Sequence, residues 1–339
     1  MALLCGLLAV TAGATTIVVP DVDQGITAIQ QGVDLAAPGD TVLVMSGYYD
    51  SVHSFQTPLG RRDAIVGITS DIVLIGEDRD DVEIDYLEAE YGILCLDVTS
   101  DAVVSNLTIV GGGSRDKGRV DDGDGRLLAA SICCLDAASP TIIDVDLVNG
   151  ATGVVVRTQP GSASSAPTLS GVLVARGSHH GVYIYKNGTE SVTMDRCTFV
   201  DNFDYGVYVF DGLAEITNSA ITHNGKYGIN AYQSSPTVSY CNVYYNDEMF
   251  PDPGIGSLNY GGALDDLTGI DGNISEEPYY CDFIGSAGYD YHVCVSDPVS
   301  PHYQGGEGGV TIGALDALCT GCVSPVEEVT WGAIKSLYR

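Results

Sequence analysis

The sequence predicts an all-β solenoid, a chain that winds into stacked coils, and two observations support this fold class. First, four glycine-containing segments superpose on one another at spacings of 22 to 28 residues, each after a strand-like apolar run. They begin at Gly153, Gly181, Gly206 and Gly228. A repeat of this length is typical of solenoids, whose units bury their apolar side only by stacking. Second, Gly is abundant at 42 residues and helix-period patterns are nearly absent, which favours strands and turns.

Stacking of the repeats predicts columns of inward side chains, because alternate residues of a strand point to opposite faces. Three columns are predicted: Val145, Val172, Cys197, Ser219, Cys241; Leu147, Val174, Phe199, Ile221, Val243; and Val154, Val182, Val207, Ile229. Asn202, Asn224 and Asn246 also align, and amides stacked in this way hydrogen-bond along the axis. Cys197 and Cys241 lie two repeats apart, roughly 9–10 Å, so we predict core thiols and no disulfide between them.

Both ends of the repeat array are predicted to carry caps. Residues 15–47 are predicted as a strand–helix–strand cap, with a helix from about Gln24 to Ala37 that Pro38 ends. Residues 48–250 are predicted as the coil, and residues 251–322 as an irregular last rung and carboxy-terminal cap. Four cysteines lie in the loop-rich sequence near this end, where Cys281/Cys294 and Cys319/Cys322 are candidate disulfide pairs in an oxidising compartment.

The termini predict export. Residues 1–14 are predicted as a signal peptide, with an apolar stretch over 3–10 followed by Thr11-Ala-Gly-Ala14. No other run approaches the roughly 20 apolar residues of a membrane span. We therefore expect a soluble monomer that is secreted, either extracellular or at the cell surface. In the tail, residues 323–339, acidic residues precede Lys335 and Arg339, which fits a short helix docked on the last rung or a sorting tag.

The charge of the chain restricts its partners. A net charge of −31 and a pI near 4.1 argue against nucleic-acid binding, which requires Lys and Arg to neutralise phosphates. The acidic insert contains Asp121, Asp122 and Asp124, the candidate ligands of a calcium ion. An EF-hand is excluded, because Val120 and Ser131 occupy the places of its first ligand and its bidentate Glu. The alternative is an acidic loop between two rungs.

Two stretches resemble a known superfamily. Near the amino terminus Val19-Pro is followed by Ile26-x-x-Ile-Gln-x-Gly-Val-Asp-x-Ala-x-x-Gly-Asp-Thr-Val-Leu-Val44 and Ile75-Gly-Glu. Near the other end lie Gly272-Asn-Ile-Ser-x-x-Pro-Tyr-Tyr280, Tyr291-His and Thr311-Ile-Gly-Ala314. Over residues 17–322 the chain resembles bacterial right-handed parallel β-helix proteins of the pectin-lyase-like superfamily, and its tail resembles short tags of proteins secreted by some Gram-negative lineages.

The resemblance implies a single-stranded right-handed parallel β-helix with an amino-terminal helix cap. It implies no single activity, because the superfamily includes lyases, hydrolases, epimerases and adhesins. Members that are polysaccharide lyases commonly hold calcium with clustered Asp and use an Arg as base, and no segment of this chain reproduces those motifs. Asp195 with Arg196, and His180, are the candidate catalytic residues. Outward Asp residues on strands, such as Asp144 and Asp146, are predicted to be solvated.

An aromatic pattern on the outer face is the most suggestive functional feature. In the three rungs of Gly181, Gly206 and Gly228, the residue before the glycine and the residues two and four after it give nine positions, of which eight are aromatic or His. These eight are His180, Tyr183, Tyr185, Tyr205, Tyr208, Phe210, Tyr227 and Tyr232; Asn230 is the ninth. Rings stacked about 4.8 Å apart are expected to pack against sugar faces, while Asp204, Asp211 and Lys186 bond sugar hydroxyls. The alternative is that aromatic residues simply favour strands and cross-rung pairs.

The leading hypothesis is a secreted, non-catalytic protein that binds glycan or another surface partner along these rings. The first alternative is a calcium-dependent polysaccharide lyase or related carbohydrate-active enzyme acting at the same surface. The second alternative is a structural surface spacer.

Overall fold

The structure is a computed structural model that describes residues 13–20, 25–111, 119–120, 127–159, 161–246, 258–282, 290–296 and 298–319. Three predicted features lie outside the described residues: the signal peptide up to residue 12, the calcium ligands Asp121, Asp122 and Asp124, and the tail 323–339.

Strands dominate the described residues, together with the α-helix α1 (Ile29–Leu35) and a 3-10 turn (Glu307–Gly309). The strands up to residue 157 are β1 (Thr16–Val19), β2 (Thr41–Val44), β3 (Gly47–Tyr49), β4 (His53–Thr57), β5 (Gly60–Ile68), β6 (Val73–Gly76), β7 (Val82–Asp85), β8 (Tyr91–Leu96), β9 (Val103–Val110), β10 (Arg119–Val120), β11 (Leu127–Leu128), β12 (Ala130–Leu135), β13 (Thr141–Val148) and β14 (Thr152–Arg157). The later strands are β15 (Thr168–Ser170), β16 (Leu173–Ala175), β17 (Val182–Tyr185), β18 (Val192–Asp195), β19 (Thr198–Val200), β20 (Val207–Phe210), β21 (Ala214–Thr217), β22 (Ala220–Thr222), β23 (Ile229–Tyr232), β24 (Thr237–Ser239), β25 (Asn242–Tyr244), β26 (Tyr260–Gly262), β27 (Tyr280–Asp282), β28 (Asp290–Cys294) and β29 (Ala317–Cys319).

The chain winds into a parallel solenoid, and each coil, or rung, adds one strand to each of three faces. Face 1 contains β15, β18, β21 and β24; face 2 contains β16, β19, β22 and β25; face 3 contains β14, β17, β20 and β23. Neighbouring strands of each face pair in parallel, as β17 does with β20 and β20 with β23. The predicted parallel β-helix is therefore confirmed.

The bend between faces 1 and 2 comes from one left-handed residue in each rung. Asp144, Gly171, Arg196, Asn218 and Tyr240 hold this position with φ between +48° and +65°. A single left-handed residue turns the strand and interrupts the alternation of its side chains. The bend therefore lets the residues on either side of it, such as Met194 and Cys197, both enter the core.

The predicted inner columns are confirmed. Strand register places Leu147, Val174, Phe199, Ile221 and Val243 opposite one another, and all five are buried. Cys197 and Cys241 are buried free thiols, as predicted.

The asparagine column is also confirmed and is longer than predicted. Asn202 Nδ2 donates to Asn224 Oδ1 at 3.0 Å, and Asn224 Nδ2 donates to Asn246 Oδ1 at 2.9 Å. Asn246 Nδ2 then donates to Asn259 at 3.1 Å. These amides also bond backbone carbonyls of the turns, so the buried ladder satisfies both side chain and main chain.

The helix that caps the amino-terminal end is shorter than the predicted span. Gln31 Oε1 accepts the backbone N–H groups of Thr27 and Ala28, which fixes the start of α1, and Ala36 adopts an extended conformation ahead of Pro38. Gly32 packs against Val19 in a space where a β-carbon would collide. The helix thus lies close on the first strands and covers the end of the core.

A segment after the coil turns back along its side. We call residues 290–319 the strap. Its apolar side chains pack with β27 onto the outer surface of face 2, and Tyr291 donates a hydrogen bond to Asp201 at 2.7 Å. Cys281 forms a disulfide with Cys319, with Cα atoms 5.8 Å apart. The pairing expected from sequence proximity is therefore wrong, because the strap brings residues 38 positions apart together.

Candidate functional site

The outer surface of face 3 carries the predicted rings in register. Parallel pairing places Tyr183 opposite Tyr208, and Tyr185 opposite Phe210 and then Tyr232. We call the eight residues predicted above the aromatic ladder. These residues occupy the same positions relative to the repeated glycine in successive rungs. They come together because in-register parallel strands align equivalent side chains.

The rings of each column stack on one another. The ring centroids of Tyr183 and Tyr208 lie 5.4 Å apart with planes 20° from parallel, and those of Phe210 and Tyr232 lie 4.9 Å apart at 18°. A near-parallel neighbour at this distance covers a ring face. Most ring faces are therefore used within the ladder, and few are left to pack against sugar.

In the two columns that start at Tyr183 and Tyr185, side-chain exposure rises towards the last rung. Tyr183 and Tyr185 are buried, Tyr208 and Phe210 are half-buried, and Tyr232 is 50% exposed. The last strand of the face, β26, pairs with β23 only from Ile229 to Ala231, so it stops before Tyr232. Tyr232 therefore has one face on Phe210 and the opposite face open to solvent.

A polar groove lies beside the rungs of Tyr185, Phe210 and Tyr232, at the turns that follow the strands of face 3. Each rung ends its face 3 strand with an aromatic residue followed by a left-handed polar residue, as in Phe210-Asp211 and Tyr232-Gln233. The turns that follow enclose a groove of about 430 Å³. It is lined by Gly188, Thr189, Asp211, Gly212, Leu213, Gln233, Ser234 and Ser235. Asp211, Gln233 and Ser235 are exposed, which leaves a carboxylate, an amide and a hydroxyl for a ligand.

A charged cluster adjoins the other margin of the ladder, where the strands of face 3 begin. Asp204 Oδ1 lies 2.5 Å from Lys226 Nζ, and its Oδ2 lies 3.5 Å from His179 Nδ1 and 4.0 Å from His180 Nδ1. Burial by itself raises the pKa of Asp204. The hydrogen bonds from His179 and Lys226 lower this pKa by more than burial raises it, so the carboxyl titrates below its ordinary value. Burial lowers the pKa of His180 to about 3. At neutral pH the cluster therefore joins a carboxylate and an ammonium to a neutral imidazole.

Three consecutive residues beside this cluster carry buried polar atoms without a hydrogen-bond partner among the described residues. They are Ser178 Oγ, His179 Nε2 and His180 Nδ1. Buried polar atoms in folded proteins nearly always have a partner, from protein or from ordered water. Water or a ligand group is therefore expected at this turn.

Cations lie against ring faces of the ladder. The guanidinium of Arg157 and the ammonium of Lys186 lie 5.1 and 5.3 Å from the centroid of the Tyr185 ring, and that of Lys226 lies 5.4 Å from Tyr205. Contacts of this length are cation–π interactions. In a chain with only 14 Lys and Arg, they concentrate positive charge at the rungs of Tyr185 and Tyr205.

The candidate catalytic residues are not brought together. Asp195 and Arg196 lie at the bend between faces 1 and 2, away from the aromatic ladder and from His180, and pair with each other at 3.3 Å. Asp195 also accepts hydrogen bonds from Thr217 and Asn218, which gives it a structural role.

A second polar cleft, of about 550 Å³, lies between that bend and the strap. Asp146, predicted to be solvated, is only 17% exposed beside the cleft and lies 3.6 Å from Arg79. Burial raises the pKa of Asp146 to about 6. The prediction failed here because the strap folds over a surface that alternation alone marks as outward.

Among the described ranges, no three or more His, Cys, Asp or Glu side chains are placed to hold a metal ion. The predicted calcium ligands Asp121, Asp122 and Asp124 fall outside those ranges. Also within the described part of the chain, no helix has the length and apolar character needed to cross a bilayer.

Sequence reasoning missed Lys226, Gln233 and Ser235. Lys226 directly precedes Tyr227, and Gln233 directly follows Tyr232, so the repeat offset was the available signal. The contact between Asp204 and the next rung could not be read from one repeat, because it depends on how the turns stack.

Comparison with known proteins supports the fold. Residues 65–217 match the family model described as right handed beta helix region. Curated proteins gave no match.

The solved structures that align with this chain have low similarity to it. A pectin methylesterase in complex with hexasaccharide VII aligns with a TM-score of 0.37 and 12% identity over 79% of this chain and 94% of that one. The A-module of the mannuronan C-5 epimerase AlgE4 from Azotobacter vinelandii aligns with a TM-score of 0.28 and 14% identity over 78% of this chain and 80% of that one. At scores this low the likeness supports no statement about activity.

Proposed function

We propose that this chain, a right-handed parallel β-helix protein of the pectin-lyase-like type, is an exported protein that binds glycan at the open end of its aromatic ladder. The observation that carries the proposal is the free face of Tyr232 beside the polar groove. Carbohydrate sites combine a flat ring, which covers the apolar face of a sugar, with a few polar groups that bond its hydroxyls.

The ladder below Tyr232 gives this site its rigidity. Phe210 supports the Tyr232 ring from one side, and Tyr185 supports Phe210 at a centroid distance of 5.2 Å. Backbone pairing fixes the same residues in register. A ring held in this way loses little conformational freedom on binding, which favours affinity.

The test is a binding experiment with a matched aromatic control. Affinity electrophoresis against a polysaccharide panel is expected to retard the full chain, and Tyr232→Ala is expected to lose this retardation. Tyr303→Ala is the control, because Tyr303 is 39% exposed on the strap and lies outside the ladder. Both variants should keep the unfolding temperature of the wild type. Equal retardation of wild type and Tyr232→Ala would remove the proposed site.

A second candidate function is catalysis on the bound glycan, and the Asp204 cluster favours it. The three unpartnered buried atoms at 178–180 and the Asp204–Lys226 pair lie beside the Tyr205 ring, at the margin opposite Tyr232. A glycan that extends across the ladder from Tyr232 would reach this cluster, where proton transfer would take place. A lyase would release products with a new double bond that absorbs in the ultraviolet. Turnover by the wild type that Asp204→Asn abolishes without loss of binding would establish catalysis. Binding without any product would leave the non-catalytic function.

A further inference from the structure

The strap contains a loop between β28 and β29, and we call residues 298–313 the strap loop. We infer that this loop is a pH-dependent switch, which acid opens by protonating His302 while the coil stays folded. The inference concerns the regulation of a conformation and does not depend on the proposed glycan site.

His302 is the residue at which the strap loop joins the coil. It is fully buried, and its Nε2 lies 2.7 Å from Nδ2 of Asn242 on β25. Its carbonyl accepts the backbone N–H groups of Gly305 and Ile312, at 3.2 and 2.9 Å. This one residue therefore connects two parts of the strap loop to each other and to the coil.

The other hydrogen bonds of Asn242 determine which atom of this pair is the donor. Asn242 Nδ2 donates to the Glu276 carbonyl at 2.7 Å, and Asn242 Oδ1 accepts the Glu276 N–H at 3.1 Å. A flipped amide would lose both bonds, so Nδ2 is the atom that faces His302 and donates to its Nε2. In the closed loop His302 is therefore neutral and carries its proton on Nδ1.

A second proton on His302 is incompatible with the closed loop. A protonated Nε2 would point its N–H at the Asn242 amide, so two donors would face each other. Nδ1 is buried and has no hydrogen-bond partner among the described residues. Burial, together with the neighbouring His223, lowers the pKa of His302 to about 3, whereas a solvated imidazole titrates near 6.5. Acid therefore favours a conformation in which this ring lies in water.

The titratable side chains packed around His302 in the described part of the chain are Tyr280, His223, Tyr244 and Glu277. Burial raises the pKa values of both tyrosines, so they stay neutral in acid. A positive charge on His223 would repel protonated His302 and would also favour opening. Burial raises the pKa of Glu277, so protonation of Glu277 favours the closed state and opposes opening.

The strap loop is built to open without its flanks. Residues 298–313 contain a 3-10 turn and no strand, and Ile312 is their one buried apolar side chain. Segments with few buried apolar contacts open at low free energy. The ends are held, because β28 pairs with β29 and Cys319 is joined to Cys281 by a disulfide. The loop can therefore open locally and close again when the pH rises.

The test is hydrogen exchange of the full chain at pH 7 and pH 4.5, followed by mass spectrometry and corrected for intrinsic rates. The two pKa values of His302 give a loss of about 70-fold in the protection of the strap loop amides. Glu277 reduces this effect, so we expect a loss of at least tenfold at Gly305 and Ile312. The amides of β20 should remain the more protected at both pH values, because the coil stays folded.

Two glutamine variants locate the switch. His302→Gln keeps an acceptor for Asn242 and cannot be protonated, so the protection of its strap loop should change less than about threefold. His292→Gln is the control, because His292 lies on β28 and bonds Asp290 of the same strand. This control should open in acid as the wild type does.

The wild type alone can overturn the inference, through a loss smaller than tenfold or through exchange of β20 as fast as that of the strap loop. Equal opening of His302→Gln and wild type in acid overturns it too, as does a closed loop in His292→Gln at pH 4.5. If His302→Gln is already open at pH 7, ¹⁵N NMR of the wild-type imidazole decides. A proton on Nδ1 at pH 7 supports the switch, and a proton on Nε2 at pH 7 overturns it.

Discussion

The ring of Tyr232 stacks on that of Phe210 with centroids 4.9 Å apart, and in the described part of the chain no ring follows Tyr232 in its column. One aromatic side chain is thus held by the neighbouring rung while its other face remains accessible. The Tyr232 ring is therefore preorganised for binding, because the stacking of the rungs fixes its position before any ligand arrives.

Removal of the supporting ring should weaken glycan binding without removing the binding ring. Aromatic pairs contribute about 0.5–1.5 kcal/mol beyond burial, so Phe210→Ala should lower glycan affinity about 2- to 12-fold. Phe210→Tyr keeps a ring at this position and should retain the affinity of the wild type. Calorimetric titration of both variants tests this relationship, and an unchanged affinity of Phe210→Ala would show that Tyr232 needs no support.

Truncation within the buried asparagine ladder should destabilise the coil. Asn224 accepts from Asn202 and donates to Asn246 and to the Phe199 carbonyl, so Asn224→Ala leaves several buried groups unpaired. We expect a loss of about 3 kcal/mol in the free energy of unfolding, measured by urea denaturation.

The control for this experiment is Asn230→Ala. Asn230 is half-buried on the outer surface of face 3. Its truncation should change the free energy of unfolding by less than about 0.5 kcal/mol. Similar losses in the two variants would mean that the ladder contributes nothing specific.

Acid should destabilise the fold through three buried histidines. Burial lowers the pKa values of His180, His223 and His302 to about 3, below the unfolded value of about 6.5. Between these values the unfolded chain binds protons that the folded chain excludes, so stability is present above pH 6.5 and falls as the pH drops towards 3. Each histidine contributes about 1.4 kcal/mol per pH unit in this window.

Three buried or half-buried carboxyls oppose this trend. Burial raises the pKa of Asp146 to about 6 and also raises the pKa values of Glu90 and Glu277, so their protonation in the folded state adds stability as the pH falls. Urea denaturation at pH 7, 5.5 and 4.5 should still show a net loss, because the three folded imidazoles exclude protons over the whole of this range. The loss should be smaller in His302→Gln, whose side chain can still bond Asn242. A stability independent of pH over this range would contradict the burial of these imidazoles.

The disulfide between Cys281 and Cys319 should be found by peptide mapping without reduction. It closes a loop of 38 residues, for which the chain-entropy relationship gives about 4 kcal/mol of stabilisation. Replacement of both cysteines by Ala should expose the strap to proteolysis before the coil is cut. A cross-linked peptide that joins Cys281 to Cys294 would contradict the pairing described here.

The coil could be predicted from the sequence because the patterns that specify it lie within single strands and single repeats. The columns of Val154 and Leu147 follow from period-two alternation and a repeat of about 25 residues, both visible in one sequence. The positions of Tyr183, Tyr208 and Tyr232 follow from the same repeat.

The predictions that were wrong concern features that depend on contacts between distant segments of the chain. The strap covers Asp146 and joins Cys281 to Cys319, and nothing in the repeat pattern encodes where a non-repeating segment folds back. Ring orientation was also inaccessible, because side-chain torsions decide whether neighbouring rings stack with each other or face outward.

The strap has a consequence for how the coil comes apart. A solenoid without such a segment can fray one rung at a time from its end, because each rung touches only its neighbours. Here Ala314 bonds Thr198 in one rung and Glu307 bonds Asn218 in the next, so a single segment fastens consecutive rungs from outside. The final rungs can then unwind only after the strap has detached. This end of the coil therefore opens in one concerted step and does not fray gradually.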